Sequence, residues 1–95
     1  MLYTFSQADY PTDELEAIFA QITAHDTVVL WQNGVLLAIK HPHLFTQCPA
    51  PCAALEQDIS ARNLTALLPK NNKVRLISLE DLVELTETYA PQMGI

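Results

Sequence analysis

Along this chain, short apolar runs alternate with stretches whose apolar residues recur every three or four positions. The first pattern marks strands and the second amphipathic helices. Leu2-Tyr3-Thr4-Phe5 predicts a first strand, ended by Ser6 and Gln7. Leu15, Ile18, Phe19 and Ile22 then fall at i, i+3, i+4 and i+7, a helical stripe. Thr12 is the expected N-cap, with Asp13, Glu14 and Glu16 at the positive end of the helix dipole. His25-Asp26 is expected to close this helix. The central stretch is Thr27 to Ile39. Its first half, Thr27 to Trp31, is apolar and rich in β-branched residues, as expected of a parallel strand buried on both faces. Gln32-Asn33-Gly34 breaks the run, and Asn and Gly tolerate the positive φ of a sharp turn. Val35 to Ile39 predicts a short helix packing back on the sheet. Strand, helix and strand make a βαβ unit, whose crossover is expected to be right-handed.

The second half is less regular. Lys40 to Pro51 carries three prolines, and proline fixes φ and removes a donor, so this segment is expected to be loop. Cys52-Ala53-Ala54-Leu55 predicts a third strand. A helical turn from Ile59 follows, with Asp58 as candidate N-cap and Asn63 as a left-handed cap. Leu64 to Leu68 is expected to continue as a helical turn or loop up to Pro69. Val74 to Ile77 predicts a fourth strand, and Ser78 with Asp81 resembles a capping box with Asp in place of Glu. The last helix, Leu79 to about Tyr89, is expected to bury Leu79, Leu82, Val83, Thr86 and Tyr89 and to expose Glu80, Glu84 and Glu87. Pro91 ends it, leaving a short apolar tail from Gln92 to Ile95.

The order of elements predicts a single α/β domain over residues 1–95. Composition sharpens this. Apolar residues make up 49% of the chain, which in so small a domain implies that another subunit covers part of the surface. Eleven acids against five bases give a formal charge of -6, which argues against direct nucleic-acid binding. Lys70, Lys73 and Arg75 are the only local basic cluster. No signal peptide or membrane-length apolar run is evident, so the cytoplasm is the expected location, with reduced thiols at Cys48 and Cys52.

Candidate chemistry is sparse. His41, His43, Cys48 and Cys52 could supply zinc ligands, but His-x-His and Cys-x-x-x-Cys are poor spacings for one tetrahedral ion. The segment reads instead as a surface loop with incidental histidines. A nucleophilic cysteine needs a helix N-terminus or a nearby cation. Cys48 has the histidines nearby in sequence but no helix behind it, and Cys52 points into a predicted strand, so a structural role is expected for each. His25-Asp26 reads as a helix end rather than an acid–base pair. There is no Gly-rich phosphate loop and no Gly-x-Ser-x-Gly elbow. Trp31 reads as core or interface. No catalytic residue, metal or cofactor is expected.

Several segments together resemble the DsrH/TusB family of sulfur-relay subunits. Met1-Leu2-Tyr3-Thr4 is similar to its start, and Val29-Leu30-Trp31-Gln32-Asn33-Gly34-Val35 to its apolar strand and following turn. Leu55 to Leu64 is similar to an Asp-Leu-x-Ala-Arg-Gly-Leu motif, with Asn63 in place of the glycine. Asp81 to Thr86 and Gln92-Met93 look like the closing helix and tail. The resemblance implies the DsrE/F/H-like fold, a small, mainly parallel sheet flanked by helices on both faces. It also implies a heterohexamer with TusC-like and TusD-like paralogous subunits, passing persulfide sulfur toward 2-thiolation of the tRNA wobble uridine. DsrH members of sulfur-oxidising bacteria carry a cysteine in the first helix, and that position falls at Ile18 here. The expected role is therefore a non-catalytic subunit, with Trp31, Gln32, Asn33, Tyr89, Gln92 and Met93 as partner contacts. The rival readings are a sulfurtransferase using Cys48 or Cys52 directly, and a small metal-binding protein using the His41–Cys52 loop.

Overall fold

The computed structural model describes residues 1–68, 73–89 and 91–95. Among them, strands β1 (Leu2–Phe5), β2 (Thr27–Leu30), β3 (Cys52–Leu55), β4 (Val74–Ile77) and β5 (Gln92–Gly94) form one sheet in the order β4-β3-β2-β1-β5. Every pairing is parallel, with Val28 beside Cys52, Cys52 beside Val74, and Leu2 beside both Thr27 and Gln92. The first four strands fall where the apolar runs predict them. The fifth is formed by the tail, which adds to the open edge of β1.

Side chains alternate across the sheet, so each strand feeds two cores. Tyr3, Phe5, Val28, Leu30, Cys52, Ala54 and Val74 share one cluster with Leu15 and Phe19 of α1 (Thr12–Ala20) and Leu37 of α2 (Leu37–Lys40). Leu44 and Phe45 of α3 (Pro42–Gln47) and Ile59 of α4 (Glu56–Ala61) complete this layer. Phe19 bridges it, meeting Phe5 at 5.6 Å and Phe45 edge-on at 5.3 Å between ring centroids. Each such fully buried side chain contributes roughly 1.5–3 kcal/mol. On the opposite face Leu2, Val29, Ala53, Leu55 and Ile77 pack beneath one helix, α5 (Leu79–Thr88), through Leu82. The sheet is thus flanked on both faces, but unequally.

Several local expectations need correction. Lys40 to Pro51 is not all loop, because Pro42 sits at the first turn of α3, where its missing N–H is no loss. Pro11 rather than Thr12 occupies the N-cap position of α1, which ends at Ala20, well before His25-Asp26. Asp58 lies inside the first turn of α4, which begins directly from β3. The turn after β2 takes its positive φ at Gln32 (52°), not at Asn33 or Gly34, and runs as a 3-10 helix from Gln32 to Leu36 into α2. Asn63 is left-handed (φ 54°) as expected. Ser78 and Asp81 form the anticipated reciprocal cap. Leu79 and Val83 are not buried: they are 50% and 49% exposed. Pro69 and Lys70 lie outside the described residues.

Candidate functional site

Parallel strands bring their C-terminal ends to one edge, where open α/β sheets place binding groups. At that edge Trp31 leaves β2 in extended conformation and Gln32 turns the chain. The Gln32 N–H donates to Asp58 Oδ2 at 2.7 Å, tying the turn to α4. Arg62, one helical turn on, donates from Nη2 to Asn33 Oδ1 at 2.9 Å and pairs through Nη1 with Asp58 Oδ1 at 3.4 Å. Gln32, Asn33, Asp58 and Arg62 are therefore one hydrogen-bonded platform. Sequence reasoning found its first two members. The i,i+4 spacing of Asp58 and Arg62 was the available signal for the others.

Gly34 holds the platform close to β1. A Cβ there would lie 2.0 Å from the Phe5 carbonyl oxygen, so only glycine fits. The same oxygen accepts the Trp31 N–H at 3.1 Å. The Trp31 ring packs against the cluster under α5, and its Nε1–H is buried without a hydrogen-bond partner among the described residues.

The other three candidate contacts sit elsewhere. Tyr89 packs on the same cluster as Trp31 but toward the N-terminal ends of the strands, lining a cavity of about 320 Å3 with Thr27, Arg75 and Leu85. Gln92 opens β5, and its Nε2 donates to the Thr86 carbonyl. Met93 pairs with Tyr3 on the opposite side of the edge strand and is 44% exposed. The structure thus joins Trp31, Tyr89 and Gln92 through the α5 layer, keeps Gln32 and Asn33 at the strand ends, and leaves Met93 on the far side of the edge.

Helix α5 supplies the most apolar exposed surface in this layer. Its Asp81, Glu84, Leu85 and Thr88 line a groove with Arg75 and Leu76 of β4. Leu79, Val83 and Thr86 follow at i, i+4 and i+7 and share one flank of the helix, and the Gln92 side chain ties the Thr86 carbonyl to β5. Leu79 and Val83 are half-exposed on α5, and Leu79 lines a groove with Glu56, Gln57 and Ser60 of α4.

Cys48 lies apart from this surface, whereas Cys52 also lines the cavity beside Leu85 and Tyr89. Cys52 is buried at the start of β3, and burial, reinforced by the neighbouring Cys48, pushes its thiol well above the ordinary range. Such a group is a poor nucleophile. Cys48 is half-buried beside a groove of about 300 Å3 that Glu16 and His43 also line. Ile18, the position of the first-helix cysteine in the resemblance, packs half-buried against the core. Among the described residues no group of three or more His, Cys, Asp or Glu is placed to hold a metal ion. No helix among them is long and apolar enough to cross a membrane.

Residues 7–92 match the model of a family described as DsrH like protein. A Haemophilus influenzae protein is 60% identical over all 95 residues of both chains. Protein TusB of Cronobacter sakazakii is 33% identical and Protein TusB of Yersinia pestis 35%, each over 99% of both chains. Among solved structures, the ychN protein of E. coli superposes with a TM-score of 0.73 at 11% identity, covering 99% of this chain and 97% of its own. A Thermotoga maritima protein superposes at 0.61 with 26% identity, covering 96% and 100%. The ychN likeness shows a shared fold and nothing more.

Proposed function

The chain belongs to the DsrH family, and on that premise we propose that it is a non-catalytic subunit of a heteromeric sulfur-relay complex. The complex passes persulfide sulfur toward 2-thiolation of the tRNA wobble uridine, and this chain acts in the cytoplasm with TusC-like and TusD-like paralogous subunits in a heterohexamer. The full-length similarity to proteins named TusB supports the assignment. The observation that carries the reading is the apolar surface left on the sheet face covered by one helix. Leu79 and Val83 are half-exposed on α5, and Trp31 is only partly buried against the cluster beneath it. Apolar side chains so arranged lose contact with water when a partner covers them.

Trp31, Gln32, Asn33, Tyr89, Gln92 and Met93 are the proposed partner contacts, with Leu79 and Val83 added by the fold. The Asp58–Arg62 platform holds Gln32 and Asn33 rigidly, so docking costs little ordering entropy there. Sulfur transfer requires a thiolate to attack the outer sulfur of a persulfide. Cys52 is held protonated by burial and the first-helix cysteine position is Ile18, so the relay's attacking thiol is assigned to a partner that this chain positions, leaving Cys48 to be tested together with Cys52. A charge of -6 makes the chain a poor surface for the tRNA itself.

Replacing Cys48 and Cys52 together with serine separates this reading from a direct sulfurtransferase. The 2-thiouridine content of tRNA from cells carrying the double variant should stay near wild type. Its loss, with the complex still assembled, would move the chemistry onto this chain.

A further inference from the structure

The two cysteines have a relationship that the assembly reading does not use. Cys48 follows α3 directly and Cys52 opens β3, with Pro49, Ala50 and Pro51 between them. Both join the cluster on the helix-rich side of the sheet, Cys52 buried within it and Cys48 half-buried against it. The Cys52 thiol donates to the Ala50 carbonyl at 3.5 Å, so the segment folds back on itself. The two prolines fix φ at two of the three intervening residues and narrow the conformations open to the segment. Only Cys48 lines the open groove of about 300 Å3 between α1 and α3, where His43 and Glu16 also lie.

We infer that Cys48 and Cys52 form a dithiol couple, with Cys48 as attacking thiol and Cys52 as resolving thiol toward a small disulfide of the glutathione type. In the first step the Cys48 thiolate attacks one sulfur of the small disulfide. A bond forms between them, the small S–S bond breaks, and one thiolate leaves and takes up a proton. In the second step the Cys52 thiolate attacks the Cys48 sulfur, closing the Cys48–Cys52 bond and expelling the second small thiol. Two protein thiols are oxidised, one disulfide is reduced to two thiols, and the protons lost by the cysteines end on the leaving groups.

The order of events follows from the surroundings. Burial, the charge of a Cys48 thiolate and hydrogen bonding to Cys48 all keep Cys52 protonated. Capture of Cys48 in the first step removes the last two of these, but burial, the largest, remains and makes resolution slower than capture. The mixed disulfide should therefore accumulate briefly before it resolves.

The test is to incubate the folded, reduced full-length chain with glutathione disulfide and follow its intact mass. The expected course is a glutathione adduct that decays to a species two hydrogens lighter than the reduced chain, with Cys48 and Cys52 linked in the peptide map. Cys52→Ala should stop at the adduct, and Cys48→Ser should stay reduced while circular dichroism reports a native fold. A wild-type adduct that persists, or a wild-type chain that stays reduced, would overturn the inference without any variant. So would Cys48→Ser reacting at Cys52 at the wild-type rate. None of these outcomes depends on a partner subunit, so they leave the assembly reading to its own test.

Discussion

Replacing Gly34 with alanine perturbs the closest backbone approach at the strand-end platform. The added Cβ would lie 2.0 Å from the Phe5 carbonyl oxygen and 2.6 Å from its carbon, against the 3.0 Å below which real side chains essentially never come. Both are backbone atoms of β1, so no side chain can swing aside. The turn or the strand must move by about 1 Å, the difference between 2.0 and 3.0 Å. Overpacking of this kind costs about 1–3 kcal/mol, and loosening the Trp31 N–H bond to the same carbonyl about 0.5–1.5 kcal/mol more. Alanine's better helix propensity returns up to about 1 kcal/mol. With a backbone clash the upper end of these ranges applies, and the net loss is about 3 kcal/mol, or roughly 12–24 °C in Tm. Urea unfolding followed by the fluorescence of Trp31, the single tryptophan, measures it. Gly94→Ala is the control, since its Cβ meets Thr4 Oγ1 at an ordinary 3.6 Å, and it should stay within about 0.5 kcal/mol of wild type. Equal midpoints and slopes for Gly34→Ala and wild type would refute the reasoning.

The same assay reads two further variants. Ser78→Ala removes the acceptor of the Asp81 N–H at 3.1 Å and should cost about 1 kcal/mol. Gln32→Gly keeps the backbone N–H that Asp58 accepts while relieving a left-handed conformation, and should stabilise the chain by about 1 kcal/mol. Asp26 gives a pH dependence. The Thr23 N–H at 2.8 Å, with the N-terminal ammonium at 3.0 Å, holds its carboxyl below the ordinary 3.8. A depressed carboxyl stabilises the folded state fully above the unfolded value and loses that contribution as pH falls through the folded one. Asp26→Asn should therefore flatten the stability profile below pH 3.8 and lower the plateau above it, as chemical denaturation across pH will show.

Much of the fold was legible because it rests on local pattern. Four strands announced themselves as apolar runs, the Ser78–Asp81 cap as a spacing, and Asn63 as a left-handed residue. What escaped depends on partners distant in sequence. Gln92–Gly94 has no strand pattern of its own and becomes β5 only because β1 offers a free edge. The α3 helix escaped because Pro42 reads as a breaker until it is known to sit in a first turn. Gln32 takes the positive φ because Asp58 accepts its N–H, while Gly34 is needed for the approach to Phe5. Leu79 and Val83 carry the right helical spacing for burial, yet α5 meets the sheet through Leu82 and leaves them half-exposed. At the proposed contacts, periodicity could mark Trp31 as core or interface. It could not show that Met93 lies across the edge strand from Gln92.

Co-expression with TusC-like and TusD-like subunits, followed by size-exclusion chromatography with mass determination, tests the central claim most directly. The expected result is one stable species with the mass of a heterohexamer containing this chain. Replacing Leu79 and Val83 together with glutamate should release the chain while circular dichroism of the free subunit stays native. Elution of this chain alone, beside partners that assemble fully without it, would contradict its role as a subunit.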